Sequence, residues 1–525
     1  MSATTKNSSV RSSRRWTARI SPVRLLCVVL AFAAGSGIAE GYVRIVLNNK
    51  KLHWDSSAVG WKLNAAGSDN IDDGSHLAAL KHAFDSWKDV PGSKVRFDYQ
   101  GQTGSKNIGG SDHLVLFDEN NSTGYFPQGS GTVAVTPIQY DPGSGRILDA
   151  DIVFNGRDWT WATDHSAGAF DVQAVATHEI GHFIGLDHSP VLSASMWPYV
   201  STRQWQQRSL SADDAAGAVA VDPLGDDGRL NGSLRKSDGT VLKGALVVAV
   251  RADDGRVAAS AASTTLGDWF IRGLEPGDYL VYAAPIEGAM TGSNLAGNSP
   301  VQTGFGAEFY GGHATPALFP VVAGDVTGAG TLTLPPDSPM LDSTSSITQY
   351  RRGETRTLSL WGSGFTGDMA VWSESPYLSV SSSQFGTSLV HAQVTVAPDA
   401  PYGEYDLYLV NNRGEFEAAT GVVEVVPPAP ALAGVQPAVG GIDGGTEVTI
   451  HGSGFQDGAF VLFGGREAES VVFVDEGTLV ATTRSSSAGT VDVSVHNPDG
   501  QQARSGDSFT FASVPNFVRL FPEAG

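Results

Sequence analysis

The sequence predicts a multidomain protein in which an α+β domain, a twisted sheet with three helices, is followed by a series of all-β sandwiches. Three observations carry this reading. Helical periodicity is confined to the stretch before Pro223. Beyond it the chain breaks into short alternating strands separated by DG, PG and G turns. Two segments near the end repeat one another: LWGSGFTGDMAVW (360–372) matches IHGSGFQDGAFVLF (450–463), and VNNRG (410–414) matches HNPDG (496–500). At 525 residues, with 63 Gly, 26 Pro and 17% charged residues, the chain is too long for one core and too rich in turn formers for long helices.

Residues 1–39 read as a signal peptide of the general secretory type. Six basic residues (Lys6, Arg11, Arg14, Arg15, Arg19, Arg24) precede the apolar run LLCVVLAFAA (25–34) and the small residues of GSGIA. SRRW (13–16) lacks the hydrophobic pair that a twin-arginine signal needs after it. Ten apolar residues are too few to span a membrane as a helix. The expected location is therefore secreted or extracellular, with no stable membrane insertion after cleavage. Cys27, the single cysteine, falls in this run, so cleavage after Ala39 leaves no disulfide, thiol catalysis or cysteine-ligated metal. Cleavage also takes the formal charge from −21 to −27, because the leader holds those six bases and no acid. So negative a surface repels phosphate backbones and excludes nucleic acid as a partner.

Residues 40–228 form the α+β domain. YVRIVL and DADIVFN alternate like strands, and SHLAALKHAFDSW spaces Leu77, Leu80, Phe84 and Trp87 helically behind an expected Ser75 cap. FDVQAVATHEIGHFIG is a second helix, with Asp171 as cap and Gly185 as stop, and LSADDAAGAVAV is a third, opened by a Ser211–Asp214 capping box. Residues 229–340 are a β-sandwich with a Gly-, Ala- and Pro-rich extension, 341–427 and 428–513 are two tandem sandwiches, and 514–525 are a tail. The linker VVPPAPAL (425–432) is expected to be stiff. Trp269, Trp361 and Trp372 read as core residues.

The chemistry lies in ATHEIGHFIGLDHSPVLSASMWPY (176–199). On a helix His178 and His182 project from one face a turn apart, so two imidazoles grip one ion. Glu179 is rotated about 100° away, outside the ligand set but within reach of a water on the metal. Gly185 permits a left-handed turn, after which His188 returns as third ligand. Three neutral histidines leave one tetrahedral position open, the mark of a catalytic rather than structural zinc site.

HEIGHFIGLDHS followed by Met196 resembles the metzincin pattern H-E-x-x-H-x-x-G-x-x-H with its Met-turn. Ser189 and SMWPY are similar to the matrixin branch, the matrix metalloproteinases and their bacterial relatives. AFDSW (83–87), GTVAV (131–135), DADIVFN (149–155) and LSADDAAGAVAV (210–221) extend the likeness. The resemblance implies a zinc metalloendopeptidase with His178, His182 and His188 as ligands and Glu179 as general base. It also implies Met196 as an apolar floor under the zinc, Pro198 and Tyr199 as part of the substrate pocket wall, and GTVAV as the edge strand that pairs with substrate. Val135 and Val153 stand where some relatives carry histidines for a second, structural zinc, so one zinc is expected. Cysteine-based latency has no counterpart here. Asp149, Asp151 and Asp158 are the candidates for Ca2+. LKGALV (242–247) with GDWFIRGLEPGDY (267–279) resembles a carboxypeptidase regulatory-like domain, and GGTEVTIHGSGF (444–455) resembles the immunoglobulin-like IPT/TIG family. The expected partners are a protein or peptide substrate, with extracellular matrix, cell-surface or carbohydrate ligands for the β-domains. The competing reading is a secreted adhesion or binding protein whose protease-like domain acts weakly or on itself.

Overall fold

A computed structural model describes residues 44–56, 58–286, 290–295, 301–336, 340–341, 347–367 and 369–513. The signal peptide expected over 1–39 and the tail over 514–525 lie outside the described residues.

The first unit is built on a five-stranded sheet in the order Arg96–Thr103, Ala58–Asn64, Leu114–Phe117, Ile152–Phe154, Ala134–Val135. Every pairing is parallel except the last, which makes Ala134–Val135 an antiparallel edge. Three α-helices accompany it among the described residues: α1 (Ser75–Lys88), α2 (Val172–Phe183) and α3 (Ala212–Val221). Ser75 is not the cap of α1. Gly74 holds that position at φ 80, Asp73 takes the Ser75 N–H at 2.9 Å, and the Ser75 hydroxyl lies 2.7 Å from Thr163 Oγ1. A carboxylate two residues upstream satisfies the open N–H and frees the serine for the neighbouring loop. The other two caps are as expected: Asp171 accepts from Ala174 N, and Ser211 and Asp214 close a reciprocal box. Trp87 of α1 docks on α2 by donating to the Thr177 carbonyl at 2.8 Å.

Three two-sheet sandwiches follow. The first pairs Asp268–Leu274, Gly228–Lys236 and Val326–Leu334 against a five-stranded sheet centred on Leu246–Arg251 and Gly277–Ala284. The second has two four-stranded sheets, and the third a four- and a five-stranded one. Trp269 is buried, as expected of a core residue, and donates to Tyr310 Oη. Trp361 is 42% exposed, because Leu358 and Leu360 take the inward positions of its strand.

The units do not hang as separate beads. One apolar core runs from the first sheet and α2 through Ala216 and Ala218 of α3 to Leu230, Trp269 and Ile271 of the first sandwich. The small residues of α3 make this possible, and a Cβ on Gly273 would come within 2.6 Å of the Ala216 carbonyl oxygen. The last sandwich returns to the start. His82 of α1 stacks on Phe460 with centroids 3.3 Å apart, Phe460 stacks on His496, and Glu467 faces Lys81 and His82. Among the described residues no helix is long and apolar enough to cross a membrane.

Candidate metal centre

α2 is buried on every side, so its polar side chains must be satisfied locally. Asp171 caps it and also forms a dry ion pair with Arg208, Nε to Oδ1 at 2.8 Å and Nη2 to Oδ2 at 2.5 Å, with both side chains 1% exposed. After Phe183 the chain turns at Gly185, φ 96, where a Cβ would stand 2.7 Å from the Leu52 carbonyl oxygen. Only glycine fits both the left-handed backbone and that approach. The turn returns His188 to His178 and His182, with ring centroids 4.8 to 5.2 Å apart.

Among the described residues this is the one group of three or more metal-binding side chains whose ligand atoms converge, all within 4.8 Å of one another. Each Nδ1 is directed at a backbone carbonyl: His178 to Ser195 at 2.7 Å, His182 to Leu186 at 2.8 Å, and His188 to Asn294. A carbonyl only accepts, so each Nδ1 carries the proton and each Nε2 presents its lone pair. His182 Nε2 and His188 Nε2 are buried without a hydrogen-bond partner. Burial, followed by mutual repulsion, holds His178 well below the ordinary histidine range and His182 down at about 3; burial alone lowers His188 to about 4. Neutral, inward-facing imidazoles, those of His182 and His188 with orphaned nitrogens, fit a zinc ion.

Glu179 is fully buried beside the cluster. The Thr136 hydroxyl lies 2.7 Å from Glu179 Oε2 and 3.1 Å from the Glu179 carbonyl. Thr136 directly follows the edge strand, so sheet and helix meet at the carboxylate. Met196 is buried, and its Sδ occupies the space that a Cβ on Gly181 would fill, on the helix stretch between His178 and His182. Asp214 ties this loop to α3 by accepting from Ser195 N at 2.6 Å and Met196 N at 3.1 Å. Pro198 and Tyr199 are buried, and Trp197 and Tyr199 share an apolar cluster with Val248, Tyr282, Phe309 and Tyr408 of the sandwiches.

Val135 and Val153 face each other in register and are fully buried with Leu114, Leu116 and Phe126. The three carboxylates considered for calcium are held by protein groups. Asp149 pairs with His113 Nδ1 at 2.8 Å, and Asp151 accepts from Gly109 N and Leu114 N. Asp158 is forked by Arg157. Sequence reasoning missed Thr136, Asp214 as an anchor of the Met196 loop, and Asn294. Thr136, next to GTVAV, was the one with a local signal.

A buried helix giving two imidazoles four residues apart, with a third returned by the next loop under a methionine turn, defines the metzincin class. Residues 53–221 match the matrixin family profile, and residues 430–511 match the IPT/TIG domain profile. The chain thus carries a matrixin domain and a TIG domain. Curated relatives include Metalloendoproteinase 4-MMP of Arabidopsis thaliana, 33% identical over 21% of this chain and 32% of its own length. Karilysin of Tannerella forsythia is 26% identical over 36% of this chain and 39% of its own. Metalloendoproteinase 1 of Glycine max is 30% identical over 28% of this chain and 45% of its own. The chain therefore spans less than half the length of each of these relatives.

Proposed function

We propose that this is a secreted zinc-dependent endopeptidase in which His178, His182 and His188 hold the metal and Glu179 is the general base. The single observation carrying the reading is the convergence of three buried, neutral imidazoles beside a carboxylate that is not in the ligand group. Zinc bound there supplies Lewis acidity, polarising the scissile carbonyl and acidifying water. Glu179 takes the proton of the attacking water and hands it to the leaving amine. Thr136 fixes the rotamer of Glu179 from the edge strand, so the base is aimed before substrate arrives. Met196 packs behind the ligands, and Pro198 and Tyr199 wall the pocket beyond the scissile bond. The export leader at 1–39 directs the chain out of the cell, and the sandwiches after residue 228 carry it to a protein, matrix or carbohydrate surface.

A specific observation supports the second reading, in which the domain acts weakly or on itself. His178, Glu179 and His182 are 0% exposed and His188 is 2% exposed, so little of the catalytic group is open to a large substrate. One experiment separates the readings. Glu179→Gln should leave zinc content and folding at wild-type levels and lower peptide cleavage by about 10²- to 10⁴-fold, while His182→Ala should lose metal and activity together. A Glu179→Gln protein that cleaves within a few-fold of wild type would defeat the endopeptidase mechanism.

A further inference from the structure

The metal centre is completed by the domain that follows it: we propose that Asn294, in the first sandwich, is a positioning residue for the third ligand, His188. The inference rests on the reading of the three histidines as zinc ligands. A ligating imidazole points its Nε2 correctly only when its Nδ1–H is fixed by an acceptor. Two of the three acceptors are native to the first unit, Leu186 for His182 and Ser195 for His178. The third, the Asn294 carbonyl, lies 106 residues downstream of His188. Asp187, the carboxylate nearest to His188, does not replace it. Its Oδ1 accepts the His188 backbone N–H at 2.9 Å and stands 3.8 Å from Nδ1, beyond hydrogen-bond reach.

The carbonyl is held in place by a built turn. Asn294 Oδ1 accepts from Thr291 N at 2.8 Å and Thr291 Oγ1 at 3.1 Å, closing the 3₁₀ turn Gly292–Asn294. Tyr199 Oη donates to the same Oδ1 at 3.3 Å, tying the turn to the loop that carries Met196. Met290 and Leu295, on either side, are buried in the apolar cluster that contains Trp197 and Tyr199. Asn294 itself is 7% exposed. One side-chain oxygen thus links the turn, the methionine loop and, through its own carbonyl, the ligand.

The test uses the full chain and reads zinc affinity by chelator competition, with cobalt(II) absorption as a second probe of ligand geometry. Asn294→Ala removes Oδ1 and frees the carbonyl. It should weaken zinc by about 10- to 100-fold, the usual effect of losing a partner of a metal ligand. The cobalt spectrum should change with it, whereas Asn294→Asp, which keeps an acceptor oxygen for Thr291 and Tyr199, should hold affinity and spectrum near wild type. Tyr199→Phe should act in the same direction as Asn294→Ala but more weakly, and it carries the test if Asn294→Ala does not fold. An Asn294→Asp loss equal to that of Asn294→Ala, or an Asn294→Ala affinity within twofold of wild type, would overturn the proposal. Wild-type protein that takes up no zinc would overturn the metal-centre reading and this inference with it, a result distinct from any difference between variants.

Discussion

Asp171 caps the helix that carries His178 and His182 and neutralises Arg208, and the two roles can be separated. Asp171→Asn keeps an oxygen at the cap, where Asn and Asp are about equivalent. It removes the charge that faces a guanidinium 1% exposed. Breaking a buried ion pair costs about 3–5 kcal/mol. Arg208 keeps the Thr163 carbonyl at 2.8 Å and Gln502 Oε1 at 3.1 Å, so the lower end applies, about 3 kcal/mol. Asp171→Ala loses the cap as well, about 1 kcal/mol more. Adding Arg208→Met to Asp171→Asn removes the stranded cation and should recover most of the loss. Urea denaturation followed by tryptophan fluorescence reads the first transition, with all variants compared at one zinc concentration. A loss below about 1 kcal/mol for Asp171→Asn, or no recovery in the double variant, would refute the account of a dry pair beneath α2.

Thr136→Val should lower kcat about tenfold or more with KM little changed, since a hydrogen bond to a charged group is worth about 1.5–3 kcal/mol; steady-state kinetics check this, and Thr136→Ser should restore the rate. Burial first, then the charges of Glu424 and Asp214, push Glu404 up to about 8. A raised carboxyl stabilises the fold most below its unfolded value, and that contribution falls as pH rises through about 8; melting temperature against pH should therefore decline over this range in wild type and flatten in Glu404→Gln. Dialysed protein should retain one zinc per chain by elemental analysis, because Val135 and Val153 offer no lone pairs; two retained zincs would contradict the apolar pairing of those strands.

The convergence of the three histidines and the caps of α2 and α3 were legible because they obey local rules. The i,i+4 histidines, Gly185, the Asp171 cap and the Ser211–Asp214 box each depend on residues within a few positions. The edge strand was legible from a motif. What was hidden depends on contacts between distant segments. Asn294 has no local pattern linking it to His188, and the alanine-rich face of α3 reads as mere helix propensity until the sandwich is seen to pack on it. Ser75 failed for a different reason. Two good capping residues stood within three positions, and propensity does not say which one the neighbouring loop will recruit. Trp361 failed because one-residue register decides the face of a strand.

The stacked rings of His82, Phe460 and His496, with Glu467 beside Lys81, fasten the last sandwich to the first helix. Tandem sandwiches joined end to end usually act as spacers, extending reach in proportion to their number. Fastened at both ends they lose that reach, and the contact acts as a clasp. Such a clasp is small and would be weak between free molecules, but the intervening domains keep its halves at an effective concentration of about millimolar. It therefore closes without help, and Arg208, which donates to Gln502 Oε1 at 3.1 Å, fastens the same two domains at a second point.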